Sequence, residues 1–284
     1  MAKGVKLPNI VGLGEVVSDI LPDSRKLGGA PADFLRHAVK NGANGYLISA
    51  IGADDLGREI LAELKKININ PVMAITPYPT GRVLIFNNAS RGYTAHILEN
   101  AAWDYIPFTT AAEECIKKAD AIYFGTLALR KTYSENTILD LIDIAPKNAY
   151  KFFDVNLRQN YYTKDIIKKL LARANILKFN IDELKVLKDF LELSGSLENV
   201  CLKLKDEYQL KYVIFSNGAK ENYIFGDEIT TFQNSRLQQT FAIGAGNAFS
   251  GTFMSSILMG NSQKIAHQTA NDTAVEMCRT FQNS

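Results

Sequence analysis

Short apolar runs alternate with amphipathic stretches along most of the chain. The apolar runs Ile10–Gly14, Tyr46–Ile51, Ala121–Gly125, Lys151–Val155, Ile176–Phe179 and Tyr212–Ser216 read as strands. Between them, Asp33–Lys40 places Phe34, Leu35, Ala38 and Val39 on one helical face. Leu56–Lys66 does the same with Leu56, Ile60, Leu61 and Leu64, and Thr163–Arg173 with Ile166, Ile167, Leu170 and Leu171. Repeated βα units of this kind build a mostly parallel sheet covered by helices, an α/β fold. No tandem repeat or low-complexity linker divides the chain, so one domain over residues 1–284 is expected.

One segment breaks the rhythm. From 72 to 98 the pattern is strand after strand without a helix: Val72–Ile75, Gly81–Asn87 and Tyr93–Leu98, with Asn88 to Gly92 as a hairpin connection. Such strands are expected to form a small separate sheet, a lid or a dimer contact.

Composition narrows the class. The 284 residues are 46% hydrophobic and 22% charged, which is globular and sufficient for a large core. With 32 Lys and Arg against 30 Asp and Glu, and no dense basic run, neither nucleic acid nor an anionic membrane is expected as a partner. Cys115, Cys201 and Cys278 are too few and too scattered for a disulfide framework or a zinc knuckle. No apolar run reaches the ~18 residues of a membrane span. A cytoplasmic protein acting on small molecules is expected.

Four segments carry the chemistry. Gly244-Ala245-Gly246-Asn247 opens a helix, where unsatisfied N–H groups and the positive end of the helix dipole favour an anion; a tight turn with close helix packing is the plainer account. Gly28-Gly29-Ala30-Pro31-Ala32-Asp33 enters another helix with Pro31 in its first turn. Asp154-Val155-Asn156-Leu157-Arg158 ends a strand, where open α/β sheets gather ligands. Asn180-Ile181-Asp182-Glu183 lies at a strand-to-helix junction and also reads as a simple capping box. Other motifs carry less: Gly12-Leu13-Gly14 lacks the third glycine of a dinucleotide fingerprint, no P-loop is present, and His37, His96 and His267 have no ligand-spaced companions.

In this order the segments resemble the ribokinase-like (PfkB) carbohydrate kinases, most closely the fructokinase-type branch, over nearly the whole chain. Ile51-Gly52-Ala53-Asp54-Asp55-Leu56-Gly57, Phe124 to Ala128, Asp154 to Gln159 (D-x-N-L-R-Q) and Ser216-Asn217-Gly218-Ala219 extend the likeness. The resemblance implies a three-layer α/β/α domain with a β lid inserted at about 72–98, and an ATP- and Mg²⁺-dependent transfer of phosphate to a primary hydroxyl of a furanose or hexose-type sugar. The inserted strands also lead to the expectation of a homodimer through the lid. Asp19, Gly28, Gly29 and Asp33 match the sugar side, although the family usually has Asn where Asp33 stands. Gly244, Ala245, Gly246 and Arg158 match positions around the transferred phosphate, with Asn156 beside them. Asn180 and Glu183 match the motif that organises Mg²⁺, Glu183 through water, and Ser216, Gly218 and Asn271 match the nucleotide pocket.

The second signature departs from the family. It usually reads D-T-x-G-A-G-D, its last Asp taking the proton from the sugar hydroxyl, whereas this chain has Phe241-Ala242-Ile243-Gly244-Ala245-Gly246-Asn247. A neutral amide can orient a hydroxyl but does not accept its proton as a carboxylate does. Phe241 removes the Asp that supports a monovalent-cation site in many relatives, so the resemblance does not carry that site here. Two expectations follow: a sugar kinase, or a homologue that has lost catalysis and acts as a sugar- or nucleotide-binding regulator.

Overall fold

The computed structural model describes residues 6–88, 92–218, 220–233 and 244–282. In chain order its first half runs β1 (Asn9–Leu13), β2 (Val17–Ile20), β3 (Arg25–Gly28), α1 (Ala30–Lys40), β4 (Asn44–Gly52), α2 (Asp55–Lys66), β5 (Ile69–Thr76), β6 (Gly81–Asn88), β7 (Gly92–Ile97), α3 (Thr110–Ile116), β8 (Ala121–Gly125) and α4 (Thr132–Asp143). The second half runs β9 (Tyr150–Asp154), α5 (Lys164–Leu171), β10 (Ile176–Asn180), α6 (Ile181–Phe190), α7 (Leu197–Glu207), β11 (Tyr212–Asn217), β12 (Glu221–Phe225), β13 (Ile229–Gln233), α8 (Ala245–Leu258) and α9 (Gln263–Gln282).

The main sheet has the order β13-β12-β11-β10-β9-β8-β1-β4-β5. All its pairings from β11 to β5 are parallel, and β12 and β13 return antiparallel at one edge. The six strands read from the sequence all belong to it. Helices cover both faces, so the central strands are largely apolar rather than alternating with polar residues. In β8, Ala121 and Tyr123 enter one core with residues of α1, α2, α8 and α9. Ile122 and Phe124 point the other way, into a second core with residues of α3 to α7. That two-fold alternation makes the three layers.

The small sheet differs in membership from the 72–98 insertion read from the sequence. Val72–Ile75 lies inside β5, which pairs in parallel with β4 in the main sheet. It follows α2 through Asn68, whose left-handed backbone (φ 57°) makes the tight return of an ordinary βα unit. The lid instead has the order β3-β2-β6-β7 and draws its first two strands from residues 17–28. Those strands are only four residues long, and Leu21 N donates to Ser24 O at 2.9 Å to close the hairpin between them. A pattern of period two has too little length to register there. The β6–β7 hairpin is present as expected, with Phe86 opposite Thr94; residues 89–91 of its connection lie outside the described residues.

Candidate active site

The parallel strands all end along one edge of the sheet, and the order reverses at β1, with β4 on one side and β8 on the other. A crevice at such a reversal is where open α/β sheets place ligands. Over this edge begins α8. Gly244 is its N-cap in the left-handed region (φ 90°), a conformation that favours glycine, and it aims the first-turn N–H groups of Ala245, Gly246 and Asn247 into the crevice. A buried cation lies beneath: a Cβ on Gly246 would stand 3.2 Å from Lys178 Nζ. Lys178 donates to Asp154 Oδ2 at 2.7 Å, with side chains 9% and 2% exposed. Glycine at 246 therefore leaves room for an anion against both the helix terminus and the ammonium group.

On the lid side, Asp19 from β2 lies across Gly28, where any Cβ would overlap its carboxylate. Gly29 (φ 105°) turns the chain into α1, its missing Cβ leaving room for the Glu15 carbonyl, and Ala30 N donates to Glu15 Oε1 at 3.2 Å. This turn sets Asp33 on the first turn of α1. The helix then crosses α8 at close range, because Gly251 lies directly on the Phe34 carbonyl. The crossing brings Asp33 beside Asn247, whose amide favours the Asp33 carboxylate. A cleft of about 910 Å³ opens between lid and helices, lined by Asp19, Leu27, Asp33, Arg36, Gly244 and Met277 among others.

The cleft perturbs its acids. Burial pushes Asp33 up to about 7, reinforced by the Asp19 and Glu15 carboxylates and opposed by Arg36 and the Asn247 amide. Burial likewise raises Asp19 to about 6, opposed by Lys26 and Arg158. Between an unfolded value of 3.8 and a folded value of about 7, the native protein holds a proton that the unfolded chain releases, so stability falls as pH rises through that window. Asp33→Asn removes the penalty. With the carboxylate 29% open to solvent, the variant is expected to gain on the order of 1 kcal/mol at pH 8 and nothing near pH 4, read by thermal melts across pH.

Along the strand ends, Asn156 sits in the left-handed region (φ 39°) and bends the chain after β9 so that Leu157 N donates to Glu183 Oε1 at 3.0 Å. Glu183 Oε2 accepts from Asn180 N at 2.8 Å, and Asn180 Oδ1 accepts from Asp182 N and Glu183 N. The capping box is thus present, with Glu183 buried, and it ties the strand-end turn to the start of α6. Arg158 is exposed at the same edge, near enough to lower Glu15 and Asp19 electrostatically. Ser216 and Gly218 lie at the end of β11, where Gly218 (φ 57°) faces open space. Asn271, buried on α9, accepts from Asn222 Nδ2 at 2.9 Å in a polar cluster with His267, and Asn222 stands opposite Ser216 in the β11–β12 ladder. Phe241 and Ala242 lie outside the described residues.

Three site residues escape a reading by motif: Lys178, Tyr123 and Glu15. Tyr123 places its hydroxyl 3.1 Å from Asp154 Oδ2 and 3.3 Å from Asn247 Oδ1, and its single hydrogen serves one acceptor at a time. It links the Lys178–Asp154 pair to the first turn of α8. The available signal was a lysine inside the otherwise apolar run Ile176 to Phe179, since a buried lysine needs a partner.

A lidded three-layer sheet with a glycine-opened helix over its strand ends is the architecture of ribokinase-like sugar kinases. The chain belongs to the pfkB family carbohydrate kinases, whose model matches residues 15–283, and it is thereby a phosphotransferase by class. It is 26% identical over 255 residues to an ATP-dependent 6-phosphofructokinase of Thermoanaerobacterium thermosaccharolyticum, covering 84% of this chain and 74% of that one. The fold matches fructokinase from Vibrio cholerae in apo form with a TM-score of 0.80 at 19% identity, over 98% of this chain and 100% of the other. It matches a sugar kinase of Pyrococcus horikoshii in complex with ATP with a TM-score of 0.77 at 20% identity, over 93% and 90%. Among the described residues no helix is long and apolar enough to cross a membrane.

Proposed function

We propose that this protein transfers the γ-phosphate of ATP to a hydroxyl of a furanose or hexose-type sugar, in the manner of a fructokinase. The observation that carries this reading is the convergence of two unlike half-sites at the start of α8: a polar cleft under the lid that presents Asp19 and Asp33, and an anion-favouring terminus backed by Lys178. Asp19 and Asp33 suit sugar hydroxyls, which donate hydrogen bonds to carboxylates. The N–H groups of residues 245–247 and Lys178 suit phosphate. The ATP-bound Pyrococcus relative and the Vibrio fructokinase lend support to the pairing of nucleotide and sugar.

Magnesium fits as a partner of the nucleotide rather than of a protein cage. Among the described residues no three His, Cys, Asp or Glu side chains converge on a metal position. Each Glu183 oxygen already accepts one backbone N–H, leaving its remaining lone pairs to bind water. Asn180 and Glu183 would therefore hold Mg²⁺ through water, as this ion prefers. Bound with ATP, the ion neutralises charge on the phosphate oxygens. Alignment and charge neutralisation supply most of the acceleration in phosphoryl transfer, which the amides of residues 245–247, Lys178 and Mg²⁺ would serve.

Asn247 favours a second reading, in which ligands still bind but transfer is lost. Titration calorimetry with Mg-ATP and a coupled ADP-release assay over a panel of ketoses, aldoses and ribosides separate the two. The kinase reading expects ATP binding and sugar-dependent ADP release; binding without release favours the regulator, and absence of both rejects the kinase.

A further inference from the structure

We propose that Asp33 is the general base of this enzyme, and that the carboxylate absent from position 247 has been relocated to its neighbour across the α1–α8 crossing. The proposal rests on the kinase reading above and adds to it the identity of the proton acceptor. Asp33 and Asn247 form one pair across the α1–α8 crossing. An ionised carboxylate only accepts, so Asn247 faces Asp33 with its Nδ2 donor and leaves the carboxylate an acceptor. Asp33 Oδ2 stands 3.9 Å from where a Cβ on Gly244 would be, at the mouth of the α8 terminus. A hydroxyl bound to Asp33 is therefore already next to the position of the phosphate.

Other acids nearby are placed for other work. Asp154 is held by Lys178 and Tyr123, Glu15 by Ala30 N, and Glu183 by two backbone N–H groups. Asp19 lines the same cleft from β2, over Gly28, with Lys26 and Arg158 acting on it. The groups acting on Asp33 are Arg36 on its own helix, Asp19 from β2, Glu15 from the β1–β2 connection and the Asn247 amide from α8. Their sum, with burial, sets its ionisation near neutrality, where a base is most effective.

The step balances as follows. The sugar O–H bond breaks and its proton passes to a carboxylate oxygen of Asp33. The electron pair of that bond stays on the sugar oxygen and forms the new bond to the γ-phosphorus. The bond from the γ-phosphorus to the β–γ bridging oxygen breaks, and its pair leaves with ADP. Protonated Asp33 then returns the proton to water.

Four proteins test this: native, Asp33→Asn, Asn247→Asp, and the exchange variant with both changes. Asp33→Asn is expected to fold at least as well as the native chain and to bind Mg-ATP unchanged by calorimetry. Its kcat is expected to fall on the order of 10²–10⁴-fold, the usual worth of a positioned base. The exchange variant is expected to recover at least about tenfold of that loss, because a carboxylate is restored within the same pair. In the native enzyme kcat/KM should rise with pH through an acid limb near 7 that is absent from Asp33→Asn. The proposal is overturned if Asp33→Asn raises KM and spares kcat, if the exchange variant stays at the level of Asp33→Asn, or if only proteins carrying Asn247→Asp turn over. In that last case the kinase reading survives. Absence of turnover and of ATP binding in all four removes the kinase reading, and the base with it.

Discussion

Lys178→Met is expected to lower stability by about 3–5 kcal/mol and to abolish measurable phosphoryl transfer. The cause of the first effect is Asp154, 2% exposed, which would lose its ammonium partner and remain a buried charge with only the Tyr123 hydroxyl against it. The second has a separate origin, since Lys178 Nζ lies under Gly246 in the anion-favouring turn of α8. Chemical denaturation reads the first effect, and the coupled ADP-release assay with calorimetric titration of Mg-ATP reads the second. Adding Asp154→Asn to Lys178→Met separates them: removal of the orphaned charge should recover most of the stability and none of the ATP affinity. Recovery of both would show that Lys178 serves the fold alone.

Gly251→Ala is expected to be nearly as disruptive, though it touches neither half-site. Its Cβ would overlap the Phe34 carbonyl oxygen and stand 3.1 Å from Ala38 N, backbone atoms that cannot yield without moving α1 or α8. Overpacking of this kind costs about 1–3 kcal/mol, seen as a lower melting temperature. The larger consequence is functional. Separating the helices moves Asp33 away from Asn247 and Gly244, and a misplacement of about 1 Å at reacting groups can cost ~10²-fold in rate. The loss should appear in kcat, with ATP affinity little changed, because Lys178 and the strand ends stay in place. Unchanged kcat would mean that the helix crossing does not align the site.

These two residues also show what the sequence could reveal. The parallel sheet was legible because its strands, covered on both faces, are continuous apolar runs separated by helices with strong one-sided patterns. Local devices were legible too: the capping box at Asn180 and Glu183, the glycine-opened start of α8, and the turn at Gly28 and Gly29 are set by residues adjacent in the chain. The four-residue strands β2 and β3 were not, being too short for alternation to stand out, and so the lid was sought only downstream. Nor was the role of Val72–Ile75 in the main sheet, since a strand's own pattern does not name its neighbour. Lys178, Tyr123 and the Asp33–Asn247 pair are tertiary facts. Each depends on which elements the sheet order and the α1–α8 crossing bring together, and Asn247 read alone as a lost base acquires a neighbour only in the fold.

The most direct test of the account is ³¹P NMR of the purified protein with Mg-ATP and the sugar panel. The account predicts a new phosphomonoester resonance growing in step with ADP, coupled to two protons if a primary hydroxyl is the acceptor. ADP accompanied by inorganic phosphate alone, or unchanged ATP with every sugar, would contradict it.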